Sequence, residues 1–166
     1  FIKADKTYDY DYLRQVVSVI VRNLDRVIDI NFYPTENTSR SNFRHRPIGI
    51  GVQGLADTFA IMKMAFDSPE ARELNRRIFA HMYYAAVETS AAVARERGTY
   101  ASFAGSPASE GRLQFDLWGV EPLADPALDW DALRAVARGG LRNSLLMAPM
   151  PTASTSQILK NNEAFE

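Results

Sequence analysis

Apolar side chains recur every three or four positions along residues 9–30. They are Tyr10, Leu13, Val17, Ile20, Leu24 and the Val27-Ile28 pair. This spacing predicts an amphipathic helix with one buried stripe. Many interior residues are β-branched, which lowers intrinsic helix propensity, so tertiary packing has to hold the helix. Asp9 and Asp11 are interpreted as the solvated start of this helix, not as a catalytic pair.

Three more helices are predicted, over residues 54–65, 69–97 and 125–138. The second begins with Asp67 or Ser68 as N-cap, because Pro69 follows where a missing N–H costs nothing. Gly98 ends that helix, and Gly139-Gly140 end the third. Residues 31–47, with two prolines and a polar run, and residues 98–111 are predicted loops. The stretch RLQFDLW, 112–118, is ambiguous between strand and helix.

Two apolar runs of strand length complete the pattern, IGIGVQG at 48–54 and NSLLMAPM at 143–150. A new helix opens within PTASTSQILKNNEAF, which follows the second run. Long helices with a few short strands predict a helix-rich α/β fold, which we take as one segment covering residues 1–166.

The first run contains the glycine spacing of a dinucleotide-binding loop, at Gly49, Gly51 and Gly54. Such a loop needs a buried strand before the first glycine and a second strand further on. Here the preceding residues are RHRPI, and Pro47 cannot donate to a central ladder. No second strand follows at the required place. We therefore interpret the glycines as permitting close approach of neighbouring backbone or of a ligand.

Composition narrows the function classes. The 166 residues are 46% hydrophobic and 23% charged, with a net charge of −1, which gives no electrostatic case for nucleic acid or an anionic membrane. No apolar run approaches the roughly 20 residues that span a bilayer, and no signal peptide is recognisable. The cytoplasm is the default location. No cysteine occurs, which excludes disulfides and thiolate chemistry within these residues.

The most informative chemistry lies near the end of the chain. After Pro149 and Pro151, the residues Thr152, Ser154, Thr155 and Ser156 crowd the first turn of the predicted last helix. Its first N–H groups have no intrahelical partner and carry about half a positive charge, which suits a phosphate or a carboxylate. The alternative is that one hydroxyl merely caps the helix. The residues alone leave these two interpretations open.

Two long motifs resemble a known family. HRPIGIGVQGLAD (45–57) and LRNSLLMAPMPTASTSQILKNNE (141–163) look like the large catalytic subunit of class I ribonucleotide reductase, and DRVIDINFYP (25–34) and GSPASEGRLQFDLW (105–118) fit in the same order. The resemblance implies part of a ten-stranded α/β barrel. It also implies that Thr152, Ala153, Ser154 and Thr155 belong to the site for the substrate diphosphate.

The family's radical and redox cysteines have no counterpart here, so we expect an internal fragment that is inactive alone and has no catalytic residue of its own. By resemblance, the whole enzyme reduces ribonucleoside diphosphates, with a radical from a metal-containing small subunit, nucleotide effectors and thioredoxin-type reductants. The expected partners of this segment are the substrate, the rest of the large subunit and the small subunit. A non-catalytic phosphate-binding or scaffold domain is the alternative.

Four further side chains could suggest chemistry. Tyr83-Tyr84 imitates a radical-relay dyad but lies within a predicted helix, where aromatic rings usually pack in the core. His45 and His81 are 36 positions apart, with no carboxylate pattern typical of a metal site. We expect His45, between two arginines, in a loop or exposed to solvent. No metal ligand is therefore predicted in this chain.

Overall fold

The computed structural model describes residues 1–165 of the chain. Within that range, helices are joined by loops, and β-structure is limited to isolated bridges. The helices are α1 Tyr10–Ile30, α2 Glu36–His45, α3 Leu55–Ile61, α4 Pro69–Arg97, α5 Gln114–Trp118, α6 Trp130–Arg138 and α7 Ala153–Leu159, with a 3₁₀ turn at Pro107–Glu110. The helix-rich character is confirmed, whereas the strands expected of an α/β fold are missing from the described residues.

Helices α1 and α4 pack along one another at the centre of the fold. Of the predicted α1 stripe, Leu13, Val17 and Ile28 are buried and Val27 is exposed, while Val21, which was not predicted, is fully buried. Burial of each such side chain contributes about 1.5–3 kcal/mol, which offsets the low helix propensity of the β-branched residues. Helix α4 has 29 residues, about 43 Å at 1.5 Å per residue, and Ser68 caps it by accepting from Ala71 N at 3.1 Å.

Helix α2 shows that the predicted loop over residues 31–47 was wrong. The Thr35 hydroxyl accepts from Thr38 N at 3.3 Å, and the Thr38 hydroxyl donates to Thr35 O at 2.8 Å, which caps the helix start. None of the ten α2 residues is buried, so the apolar periodicity that identifies a helix from sequence is missing. Local capping, together with the docking of Arg46 just beyond the helix, holds α2 in place.

A buried polar network holds Arg46, just beyond α2, against the core. Arg46 Nε donates to Asp25 Oδ1 at 2.9 Å, and Arg46 Nη1 donates to Asp29 Oδ1 at 2.8 Å. Asn143 donates to Asp25 Oδ1 at 3.2 Å and to Arg46 O at 3.1 Å, and accepts from Ser90 Oγ at 3.0 Å. Buried polar groups need such partners. The network therefore ties α1, α4 and the segment after α2 to the start of the second apolar run.

Beyond this network, the two apolar runs predicted as strands lie side by side. Ile50 N donates to Leu146 O at 2.9 Å and Ala148 N donates to Ile50 O at 3.0 Å, around a parallel bridge between Ile50 and Met147. The pairing stops after one bridge, so the two runs are neighbours but neither forms the predicted strand. Prolines at 47, 149 and 151 lack the N–H that a longer ladder requires.

Two helix boundaries also differ from the prediction, and one ambiguous stretch is resolved. Helix α3 ends at Ile61 because Lys63 takes a left-handed conformation, with φ of 60°. Helix α6 begins at Trp130, not near residue 125, since Asp125 accepts from Ala127 N in a turn and Asp129 caps the helix. The ambiguous stretch 112–118 contains the short helix α5.

Candidate functional site

The turn where α7 begins contains the residues that the sequence predicted as an anion site. Thr152 is the N-cap residue, in a left-handed conformation with φ of 57°, and Ala153, Ser154 and Thr155 form the first turn. Ser156 N donates to Thr152 O at 2.9 Å, which closes that turn. The peptide N–H groups of residues 153–155 have no acceptor among the described residues, and these three residues are exposed. The turn therefore presents three amide donors to the surface.

Two of the four hydroxyls hold the turn together. Thr152 is 8% exposed, and its Oγ1 accepts from Ala164 N at 2.7 Å, across the segment that follows α7. Ser156 is 1% exposed, and its Oγ lies 3.5 Å from Ala153 O. None of the hydroxyls caps α7 through a side-chain hydrogen bond. The alternative interpretation, in which one of these hydroxyls caps the helix, is therefore not what the structure has.

The other two hydroxyls lie on the exposed side of the turn. Thr155 Oγ1 donates to Gln53 Oε1 at 3.0 Å and lies 3.3 Å from Thr152 O. Gln53 Nε2 in turn donates to Asn161 Oδ1 at 3.1 Å. Ser154 is exposed. The structure thus brings the four predicted site residues together and adds Gln53 and Asn161, which the sequence reasoning missed.

The glycine-rich stretch and the start of α3 form hydrogen bonds with the segment that follows α7. Gly54 N donates to Asn162 O at 2.9 Å, and Gly54 has φ of 76°, a conformation that favours glycine. The Asp57 carboxylate accepts from Asn162 N at 2.6 Å and from Asn162 Nδ2 at 2.8 Å. The interpretation of the glycines as places of close backbone approach is confirmed. Their spacing was the available signal, but it did not reveal which segment they would meet.

The tyrosine pair within α4 packs as predicted. Tyr83 Oη accepts from Gln114 N at 3.0 Å, and the Tyr84 ring stands edge-on to Trp130 at 5.5 Å. Desolvation on burial raises the pKa of both phenols. The two rings serve the contacts of α4 with α5 and α6, which leaves them a structural role.

The histidines lie far apart and in different surroundings. His81 is 2% exposed, stacks on the Tyr10 ring at 4.5 Å, and has its Nε2 3.5 Å from Asp125 Oδ2. Burial lowers the pKa of His81. His45 ends α2 and is not in a loop, and its Nδ1 lies 2.6 Å from Ser102 Oγ. Neither histidine belongs to a group of metal ligands in the described part of the chain.

An apolar groove of about 750 Å³ runs between α4, α5, α6 and the second apolar run. Its lining includes Tyr83, Leu113, Phe115, Trp130, Leu145 and Met147. The groove therefore exposes one side of the paired segments that lead to the α7 turn. Among residues 1–165, no helix is both long and apolar enough to cross a bilayer.

The family of the chain follows from its comparison with known proteins. All of residues 1–166 match the family model described as ribonucleotide reductase, barrel domain. The chain belongs to this family.

Curated relatives agree with that assignment. The chain is 54% identical, over its whole length, to the ribonucleoside-diphosphate reductase large subunit of Caenorhabditis elegans, of which it covers 21%. It is 52% identical to the large subunit of Danio rerio, with 100% of the chain and 21% of the relative covered. For the Arabidopsis thaliana large subunit the identity is also 52%, over 98% of the chain and 20% of the relative. The chain thus spans about a fifth of the relatives it matches.

Proposed function

We propose that this chain acts as one segment of a ribonucleoside-diphosphate reductase large subunit, which converts ribonucleoside diphosphates to deoxyribonucleoside diphosphates by radical chemistry. The observation that carries this proposal is the match of the whole chain to the barrel-domain family, with relatives of that printed name at 52–54% identity. None of these names favours the scaffold alternative. With no cysteine in the chain, the radical and thiol steps fall to other parts of the enzyme.

Within that enzyme, the segment contributes barrel wall and holds the substrate diphosphate at the α7 turn. The contacts run from the N–H groups of Ala153, Ser154 and Thr155, with the Thr152 turn beneath them. Support comes from the exposure of residues 153–155, from their unpaired amides, and from the side-chain contacts that fix the turn. Amides at a helix start bind anions without a lysine or an arginine. A diphosphate held there places the ribose for reaction, and such positioning contributes substantially to rate.

The remaining partners follow from the same proposal. The rest of the large subunit covers the apolar groove and the exposed Leu145 and Met150, which are 63% and 59% exposed. A separate small subunit supplies the radical, and nucleotide effectors and thioredoxin-type reductants act at other parts of the enzyme. The cytoplasm is the proposed location.

The test is a pair of substitutions in the full-length subunit. Ser154→Glu places a carboxylate over the amide turn, and Ser154→Gln has nearly the same size without the charge. We expect the Glu variant to raise KM for a diphosphate substrate at least tenfold over the Gln variant, about 1.4 kcal/mol of repulsion. Equal KM values in the two variants would remove the diphosphate from this turn.

A further inference from the structure

The Gln53 side chain lies between two polar groups of the C-terminal segment. Its Oε1 accepts from the Thr155 hydroxyl at 3.0 Å, and its Nε2 donates to Asn161 Oδ1 at 3.1 Å. Gln53 and Asn161 are half-buried, whereas Thr155 is exposed. The three side chains thus form a short chain of hydrogen bonds from the surface of the α7 turn toward the start of α3.

The direction of these hydrogen bonds matters for an anion. A hydroxyl has a single hydrogen, and the Thr155 hydroxyl directs it to Gln53 Oε1 at 3.0 Å, with Thr152 O as a more distant acceptor at 3.3 Å. A phosphate oxygen can only accept, so Thr155 in this arrangement offers it no donor. Hydrogen bonds between a hydroxyl and a charged acceptor are about twice as strong as neutral ones, so the lost donor is costly.

Side-chain amides carry an oxygen and an NH₂ group of nearly the same size on one carbon. If the Gln53 and Asn161 amides both rotate by half a turn, every donor and acceptor in the chain is exchanged. Asn161 Nδ2 then donates to Gln53 Oε1, and Gln53 Nε2 donates to Thr155 Oγ1. The number of hydrogen bonds made by the amides is unchanged, and the Thr155 hydrogen is released from Gln53. It can then donate to a ligand at the exposed side of the turn, in competition with Thr152 O at 3.3 Å.

We propose that Gln53 and Asn161 are positioning residues that set the direction in which the Thr155 hydroxyl donates. One orientation of the amide pair holds the hydroxyl hydrogen, and the other directs it to the phosphate group of a nucleoside diphosphate. This proposal rests on the function proposed above for the α7 turn. It also gives the glycine-rich stretch a role in placing Gln53 beside Thr155.

The test is a double-mutant cycle in the full-length subunit, with the affinity for a nucleoside diphosphate as readout. In Gln53→Glu the carboxylate can only accept, so it keeps the Thr155 hydrogen. We expect the affinity of this variant for the nucleoside diphosphate to be about tenfold weaker than that of the unchanged protein. Gln53→Met removes the acceptor and frees the hydroxyl, so we expect a change of less than about threefold. In a Thr155→Val background, Gln53→Glu should cost less than about threefold, because no hydroxyl remains to be misdirected.

Simple charge repulsion predicts a different result. If Gln53→Glu weakens binding tenfold with or without the Thr155 hydroxyl, the two residues are not coupled and the proposal is overturned. Asn161→Asp provides an independent variant, because an acceptor at that position forces Gln53 Nε2 toward it and Oε1 toward Thr155. It should raise KM with kcat unchanged, and it too should lose its effect with Thr155→Val.

Failure of the amide pair and failure of the diphosphate site give different results. If Ser154→Glu weakens binding and Thr155→Val does not, the amide turn binds the diphosphate but the hydroxyl chain is overturned. If neither substitution changes affinity, both proposals fall together. Weakening by Thr155→Val with normal affinity in Gln53→Glu overturns the amide pair alone.

Discussion

Gly51 lies so close to Pro149 that a Cβ on Gly51 would stand 2.9 Å from the Pro149 Cα. The Pro149 Cα belongs to the backbone, which cannot yield as a flexible side chain would. We expect Gly51→Ala to destabilise the fold by about 1–3 kcal/mol and to lower the midpoint of thermal unfolding. Because the same contact leads to the α7 turn, affinity for a diphosphate should fall as well.

The control for that substitution is Gly139→Ala. Gly139 follows α6 with φ of −69°, and an added Cβ would meet only carbonyl oxygens, the nearest being Val136 O at 3.3 Å. Its effect on the unfolding midpoint should be small. A Gly51→Ala protein as stable as the Gly139→Ala protein would show that the two runs can separate without loss.

The buried pair of Asp25 and Arg46 should be costly to break. Side-chain exposure is 1% for Asp25 and 4% for Arg46, so Asp25→Ala leaves a guanidinium buried beside only part of its partners. We expect a loss of about 3–5 kcal/mol in the free energy of unfolding, measured by chemical denaturation. Asp11→Ala on the same helix removes a carboxylate that is 80% exposed, and the expected cost is about 0–1 kcal/mol. Similar losses in both variants would contradict the role of the network.

His81 should make stability depend on pH. Its pKa is lowered in the fold, chiefly by burial, from an ordinary value of 6.5. Below pH 6.5 the unfolded chain therefore binds a proton that the folded chain does not bind. The free energy of unfolding then decreases as the pH is lowered, until the pKa of the folded state is reached. Above pH 6.5 this contribution is fully present. Unfolding midpoints measured from pH 5 to 7.5 should show that slope, and His81→Phe, which keeps the ring stacked on Tyr10, should reduce it.

Residues 1–166 produced as a separate polypeptide should associate. Phe32, Trp118, Ile158 and Leu159 are 82%, 71%, 76% and 66% exposed, and the apolar groove is open as well. Such surfaces normally mark contacts with other protein. Sedimentation velocity should detect dimers or larger species at micromolar concentration. A single sharp monomer peak with high solubility would contradict this expectation.

The sequence predicted those elements whose signals lie in residues close together along the chain. The apolar stripe of α1 and the Ser68-Pro69 start of α4 are written in adjacent residues, and both helices form where expected. Helix α2 escaped prediction because it buries no residue and so has no periodic signal. Its capping threonines are common in turns as well, which made a loop the better interpretation of the sequence.

The sequence likewise predicted only one part of the candidate site. The hydroxyl-rich turn at residues 152–155 follows from sequence, because crowded Ser and Thr residues after a proline are a local pattern. The contacts of Gln53 with this turn and of Asp57 with the segment after α7 could not be predicted from sequence. They join residues 102 and 105 positions apart, which meet only in the folded chain. Hydrogen bonds across such separations depend on how the glycine-rich run packs beside Ala148 and Pro149, and that packing exists only once α1, α4 and the buried Arg46 network are in place.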